Sequence, residues 1–296
     1  MSDEVKQCIV CRSSESSVVF VDSGVPILRC TGCKHLYSSY AGKQNYSEYY
    51  AREVNDQEKF RLDPAHLRMY RDFGNRFMAG RSGKILDVGA GLGYFVRFAE
   101  SYQDWDAFGY EICAPAVDYA KNQLGVKNIY AGRVEDSGFR LAYFDLITLW
   151  DVIEHIPNPD GFLQYLRSLL KPTGAFFLAT PNGPAQLWKA RAKKMLIGMR
   201  EGGHYLEPRD HMNLYTPDTL DRVLKRAGFQ SVKFVLLPPI QAVSESRNPL
   251  GVLAKNAWFR IAQLVHVTTG SRANINHNLY AIATTPAGVA NRCQTL

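Results

Sequence analysis

Hydrophobic and polar positions change their period along this chain. From Lys84 onwards, short apolar runs alternate with stretches of helical spacing. KILDVG reads as an apolar strand ending in a glycine turn, and GYFVRFAESY as a helix. WDAFGYEI is a second strand, APAVDYAKNQLG a helix and KNIYAG a third strand. FDLITLWDV is almost wholly apolar, as a strand covered on both faces must be. GAFFLATPN supplies a fifth strand, and SVKFVLLP and NLYAIATTP the last two. Three cap-then-proline pairs, Asp63-Pro64, Asn158-Pro159 and Thr216-Pro217, mark helix starts. The second of these helices is expected to run to about Lys171, and the third to stop at Gly228. Behind Asp63, the positions Leu67, Tyr70, Phe73 and Phe77 form an apolar stripe that should dock on a core. This alternation predicts an α/β fold, a Rossmann-like doubly wound sheet of seven strands.

Two insertions interrupt that plan, at about residues 183–215 and 239–277. In the first, Trp188, Ala192, Met195, Leu196 and Met199 share one helical face, and Lys189, Lys193 and Arg200 the other. The expectation is a lid helix packing its apolar face on the domain, with peripheral membrane contact as the alternative. In the second, Leu250, Leu253, Ala254, Ala257, Trp258, Ile261, Leu264 and Val265 form a stripe expected to serve the core or a dimer contact. The chain is read as a monomer or homodimer.

Composition narrows the class. The chain has 296 residues, 46% hydrophobic and 21% charged, which excludes wholesale disorder. A net charge of +7 permits acidic partners without choosing among them. No apolar run is long enough to span a bilayer. The start, MSDEVKQCIVC, has neither the basic region nor the apolar run of a secretory signal, so a cytoplasmic protein is expected.

Four of the six cysteines lie at the N-terminus, as Cys8-x-x-Cys11 and Cys30-x-x-Cys33. That spacing suits Zn²⁺ held by four thiolates with no position left for water, hence a structural zinc ribbon. The expected organisation is a zinc ribbon over residues 1–40, a linker with N-terminal helices over 41–80, and the main domain over 81–296.

The sharpest chemical signal is ILDVGAGLGYF: strand, Asp87, then Gly89, Ala90, Gly91 and Gly93, then helix. The glycines let backbone approach a ligand, and the helix start offers unpaired N–H groups. Glu111 ends the next strand about 20 residues on, where the two hydroxyls of a ribose call for a carboxylate.

LDVGAGLG, GYE with Glu111, DLITLWDVIEHIPNP and LKPTGAFFLATPN together resemble the class I S-adenosylmethionine-dependent methyltransferases, over most of residues 84–285. The Glu154-His155 pair is similar to the branch that includes quinone O-methyltransferases. The resemblance implies that Asp87 and the Gly89–Gly93 loop face the methionine part of the cofactor and that Glu111 holds the ribose. It places Ile112 beside the adenine, Val134 at its polar edge, and Trp150 and Asp151 near the methionine end. Arg133 stands where the family often has Asp. An N-terminal zinc ribbon on such a domain resembles bacterial sugar methyltransferases, including deoxysugar C-methyltransferases, and some ribosomal RNA methyltransferases. RDHMNLY resembles the Glu-His motif of the sugar C-methyltransferases, with Asp210 for Glu, His211 for His and Tyr215 near the aromatic. Pro208 stands where that group has a tyrosine, and the group's long C-terminal domain is not matched.

The expected function is S-adenosylmethionine-dependent O-methylation of a small-molecule or sugar/glycan-precursor acceptor by in-line transfer. His211 or His155 is the candidate base, with Asp210 beside it. His204 and Tyr205 stand further back, and His35, His66, His266 and His277 are expected at the surface or in packing. The alternatives are a sugar C-methyltransferase, an RNA methyltransferase, for which the basic residues are too dispersed, and a non-catalytic ligand-binding protein.

Overall fold

The computed structural model describes residues 7–42, 63–198, 205–239, 249–270 and 273–285. His204, Cys293 and the tyrosine-rich linker segment 43–62 lie outside them.

Three N-terminal strands, β1 (Ser16–Asp22), β2 (Val25–Cys30) and β3 (Leu36–Ser38), are followed by helix α1 (Asp63–Phe77). The main domain continues with β4 (Gly83–Val88), α2 (Tyr94–Ala99), β5 (Trp105–Glu111), α3 (Ala114–Leu124), β6 (Ile129–Ala131) and β7 (Phe144–Trp150). Then come α4 (Asp160–Leu169), β8 (Leu170–Pro181), α5 (Gly183–Ile197), β9 (Asn213–Leu214) and α6 (Pro217–Arg226). The described chain ends with β10 (Ser231–Val235), α7 (Pro249–Thr268) and β11 (Asn278–Thr284).

The main sheet has seven strands in the order β10-β11-β8-β7-β4-β5-β6. β6, β5, β4, β7 and β8 run parallel, and β11 pairs antiparallel with both β8 and β10. β8 shows why the central strands read as continuous apolar runs. Phe176 and Leu178 enter one core with Leu163, Leu166 and Leu220. Ala175, Phe177 and Ala179 enter the other with Phe73, Phe95 and Val117. Both faces are covered, so polar alternation is lost.

Helices begin at or beside all three cap-then-proline pairs, but at the second Pro159 is itself the N-cap with no side-chain cap, and α4 ends at Leu169 rather than near Lys171. α1 begins at Asp63, and its buried side is Met69, Phe73 and Phe77, while Leu67 is half-buried. α6 is capped by Thr216, whose hydroxyl accepts from the Thr219 N–H while Thr219 Oγ1 accepts from the Thr216 N–H.

The lid helix does not dock the face expected of it, and the stripe of the second insertion does not serve the core. Trp188, Met195 and Leu196 of α5 are exposed, and Leu187 and Ala190 pack inward instead. In α7 the buried positions are Phe259 and Ala262, with Leu253, Ile261 and Leu264 at the surface. Both helices carry apolar residues on more than one side, so periodicity could not choose the face that docks.

The N-terminal sheet takes its fourth strand from far along the chain: its order is β1-β2-β3-β9. Leu36 pairs with Leu214 and Tyr37 with Asn213. Phe20, Ile27 and Leu36 form one apolar cluster with Leu187, Ala190, Leu206 and Leu214. Asp22 is buried, and its Oδ2 accepts from the backbone N–H groups of Tyr205, Leu206 and Glu207. The Arg226 guanidinium donates to the Ile9 and Val10 carbonyls, between the two cysteines of the first pair. The first insertion is thus stitched to the ribbon by strand, core and charge.

Candidate active site and four-cysteine cluster

The site lies at the carboxyl ends of the parallel strands, where such sheets bind ligands. β4 delivers Asp87 and the glycine turn. Gly89, Gly91 and Gly93 all have left-handed backbone, with φ of 72°, 52° and 80°. A Cβ on Gly89 would stand 2.4 Å from Val152 Cγ2, so the turn admits only glycine there. Asp87 is buried and accepts from Thr148 Oγ1 at 2.7 Å; burial pushes its carboxyl up to about 8. β5 delivers Glu111, buried, with Oε2 accepting from the Gly91 N–H at 2.8 Å and Oε1 from the Cys113 N–H at 2.9 Å. Burial pushes Glu111 upward, against the pull of these donors.

Two cavities meet over this edge. The first, of about 560 Å³, is lined by Glu111, Ile112, Val134, Asn158 and Phe162 among others. The second, of about 430 Å³, is lined by Asp87, Gly91, Tyr70, Phe95, Glu154 and His211 among others. Gly89, Trp150, Asp151 and His155 line both. Ile112 is 44% exposed, an unusual state for isoleucine that gives the first cavity an apolar ledge. Asp151 has left-handed backbone (φ 52°), a conformation that non-glycine residues hold only under constraint. It lines both cavities, and desolvation pushes its carboxyl up to about 6.

After β7 a short 3₁₀ turn, Ile153–His155, carries Glu154 and His155 into the second cavity. His155 Nδ1 donates to the Asp210 carbonyl at 3.0 Å. A carbonyl only accepts, so the proton sits on Nδ1 and Nε2 is the acceptor nitrogen. The His155 and His211 rings meet edge to face, 5.0 Å between centroids. Burial, then His211, lowers His155 to about 4, so its imidazole is neutral at pH 7. Burial also lowers His211.

All cofactor candidates except Gly93 line these cavities. Gly93 serves packing: a Cβ there would stand 2.7 Å from Ala120 Cβ of α3. His155 and His211 come together, while Asp210 reaches the pair through its main-chain carbonyl and its side chain lines neither cavity. Tyr215 is fully buried against His35, 5.3 Å between ring centroids, so it belongs to the core. His66, expected at the surface or in packing, lines the second cavity together with Tyr70 of the same helix. The sequence did offer a signal for them, since an apolar stripe ahead of the first parallel strand must cover that strand's face. Arg133 lies on the first cavity beside Glu135, with which it pairs at 2.8 Å.

The four cysteines of the ribbon bring their sulfur atoms within 4.8 Å of one another and form no disulfide. The two pairs fold alike. The backbone N–H of Arg12 donates to the Cys8 carbonyl, and that of Lys34 to the Cys30 carbonyl. Both Arg12 and Lys34 have φ 64°. The sulfur of Cys8 accepts from the N–H groups of Val10 and Cys11, and that of Cys30 from those of Gly32 and Cys33. N–H groups aimed at sulfur stabilise thiolates. This donor set, four thiolates on two matching knuckles, fits a tetrahedral Zn²⁺.

A seven-stranded sheet of this order, with a glycine turn after the first parallel strand and a carboxylate ending the second, defines a class I S-adenosylmethionine-dependent methyltransferase. The chain belongs to the family described as methyltransferase domain, whose model matches residues 62–233. It is 26% identical over 176 residues to a ubiquinone biosynthesis O-methyltransferase of Azoarcus sp. (strain BH72), covering 54% of this chain and 68% of the relative. A ubiquinone biosynthesis O-methyltransferase of Aeromonas salmonicida (strain A449) is 27% identical over 166 residues, covering 49% of this chain. The match spans 62% of that relative's length. Among solved structures, Haemonchus contortus phosphoethanolamine N-methyltransferase 2 in complex with S-adenosyl-L-methionine superposes with a TM-score of 0.56 at 17% identity. That match covers 85% of this chain and 62% of the other.

Proposed function

We propose that this protein moves a methyl group from S-adenosylmethionine to a hydroxyl of a small molecule or sugar precursor. The observation that carries the reading is the shared wall of the two cavities. The glycine turn and Glu111 belong to the cofactor side, and the His155–His211 pair faces the same junction.

In this reading Glu111 accepts from the ribose hydroxyls, Ile112 flanks the adenine, backbone near Val134 meets its polar edge, and Asp87 and Asp151 face the charged methionine end. The acceptor enters the second cavity. Its oxygen lone pair forms the new O–C bond in line with the breaking C–S bond, whose electron pair stays on sulfur. The proton leaves the oxygen towards His155 Nε2, the acceptor nitrogen of a ring held by the Asp210 carbonyl. Holding the partners in line supplies most of the rate. The likeness to O-methyltransferases supports oxygen as the acceptor atom.

The four-cysteine cluster holds a structural zinc in this reading, and the metal supplies folding energy there. The test is release of S-adenosylhomocysteine in the presence of phenolic, sugar and RNA acceptors. Turnover with one of the small hydroxyl compounds supports the reading; turnover with RNA alone overturns it.

A further inference from the structure

We infer that Lys189, Lys255 and His277 form an anion site at the rim of the second cavity, where they hold a phosphate or diphosphate group carried by the methyl acceptor.

Three separate parts of the chain build the site. Lys189 lies on α5, Lys255 on α7, and His277 directly before β11. A ladder of stacked rings joins them. Trp188 of α5 stacks on Trp258 of α7, with centroids 6.2 Å apart and planes 9° apart. Trp258 in turn stacks on His277, at 6.0 Å and 17°. The main chain of His277 is held as well: its carbonyl accepts from the Asn182 N–H at 2.9 Å and from Gln186 Nε2 at 3.1 Å. Asn182 is buried, and its Nδ2 donates to the Asn274 and Asn276 carbonyls. The imidazole is thus fixed in place before any ligand arrives, which lowers the ordering cost of binding.

The chemistry of the cluster suits an anion. Lys189 and Lys255 lie close enough for their charges to act on His277, and burial, then these two cations, lowers its pKa. A negative group between two ammonium groups is attracted by both. Trp258 Nε1 and His277 Nδ1 are buried with no hydrogen-bond partner among the described residues. An indole N–H and an ammonium only donate, so the cluster lacks acceptors rather than donors. A phosphoryl group supplies several acceptor oxygens and a charge of about −1.5 to −2 at pH 7. Two lysines match that charge, whereas one carboxylate would leave half of theirs unmet. Lys189 is exposed, so its flexible side chain can close over an entering group.

Position ties the site to the acceptor. Asn278, the next residue, lines the second cavity with Pro181 and His211, and pairs with Pro181 in the sheet. One residue advances a strand by about 3.3 Å, so His277 stands just outside the wall that carries His211. A phosphate held there lets the rest of a small acceptor extend into the cavity. That assignment rests on the methyl-transfer reading; the binding of the anion does not.

The test uses the full chain and inorganic pyrophosphate, followed by calorimetry, with S-adenosylmethionine affinity and zinc content measured on the same preparations. One saturable pyrophosphate per chain is expected. Lys189→Gln and Lys255→Gln should each weaken it about tenfold or more, the loss of one charge-assisted hydrogen bond, with cofactor affinity and zinc retained. Lys193→Gln, on the same helix as Lys189, should leave it unchanged. Among hydroxyl acceptors, phosphorylated sugars should turn over, and Lys255→Gln should raise their KM about tenfold with little change in kcat. Absence of pyrophosphate binding, equal weakening by Lys193→Gln, or binding only to vesicles of anionic lipid overturns the site. Turnover confined to acceptors without phosphate overturns the anchor and keeps the methyl-transfer reading. Pyrophosphate binding without S-adenosylmethionine binding keeps the anion site and removes that reading.

Discussion

The Nδ1–H of His155 donates to the backbone carbonyl of Asp210, 55 positions away in sequence, at 3.0 Å. That bond fixes the tautomer of a neutral histidine at the junction of the two cavities. Direct proton transfer needs Nε2 as the acceptor nitrogen. His155→Ala and His211→Ala should therefore lower kcat by roughly 10²–10⁴-fold, the range for loss of an acid–base group. S-adenosylmethionine affinity, measured by calorimetry, should stay within about threefold, since the glycine turn and Glu111 are left untouched. A collapse of cofactor affinity would make His155 a cofactor contact instead.

Glu111 has a separate task. Each of its carboxylate oxygens already accepts one backbone N–H and keeps lone-pair capacity for a ribose hydroxyl. Glu111→Gln keeps the shape but removes the charge and one acceptor. Charge-assisted hydrogen bonds are worth roughly 1.5–3 kcal/mol. Cofactor affinity should fall about 10- to 100-fold by calorimetry, with the melting temperature little changed. Equal affinity would remove Glu111 from the ribose site.

In the proposed cofactor site, Asp87 should make S-adenosylmethionine binding pH-dependent. Burial raises its carboxyl from 3.8 to about 8, so the free protein keeps that proton at pH 7. Stability contributed by the protonated carboxyl is present below 3.8 and is lost as pH rises towards 8 and beyond, because the folded state binds more protons than the unfolded chain in that window. A cationic methionine group beside it favours the carboxylate. Binding at pH 7 should thus release up to about one proton per chain, read from calorimetry in buffers of different ionisation heat. Affinity should rise from pH 6 to 8. Asp87→Asn should abolish the release; if it persists unchanged, another group supplies it.

The ribbon should matter beyond its own fold. β9 is its fourth strand, and β9 starts two residues after His211. His35 Nε2 donates to Asn213 Oδ1 at 3.2 Å, and Asn213 Nδ2 donates to the Ile156 carbonyl at 2.8 Å, beside His155. Metal analysis should find about one zinc per chain in this cluster. Cys30→Ser should lose it, lower the melting temperature and lower kcat through the displaced histidine wall. Zinc loss with unchanged kcat would show that the ribbon is only a separate structural unit.

Local chemistry was legible in the sequence. The cysteine spacing, the glycine turn with Glu111 and the three cap-then-proline helix starts depend on residues close together along the chain. The strand count followed from apolar runs, because a strand covered on both faces has no polar positions to show. The buried face of α5 was misread, because the helix has more than one apolar side and only its neighbours decide which is buried.

What the tertiary structure alone decided are relationships between distant residues. Sequence named His155 and His211 separately, but only folding set their rings 5.0 Å apart and put Asp210 to use through its carbonyl. Sequence read the ribbon and the first insertion as separate pieces. Folding joined them through the β3–β9 pairing and through the Asp22 carboxylate, which accepts three N–H groups of the insertion. The physical reason is the same in each case. A backbone carbonyl or an edge strand offers its hydrogen bonds whatever its side chain, so no residue pattern announces which distant partner will take them.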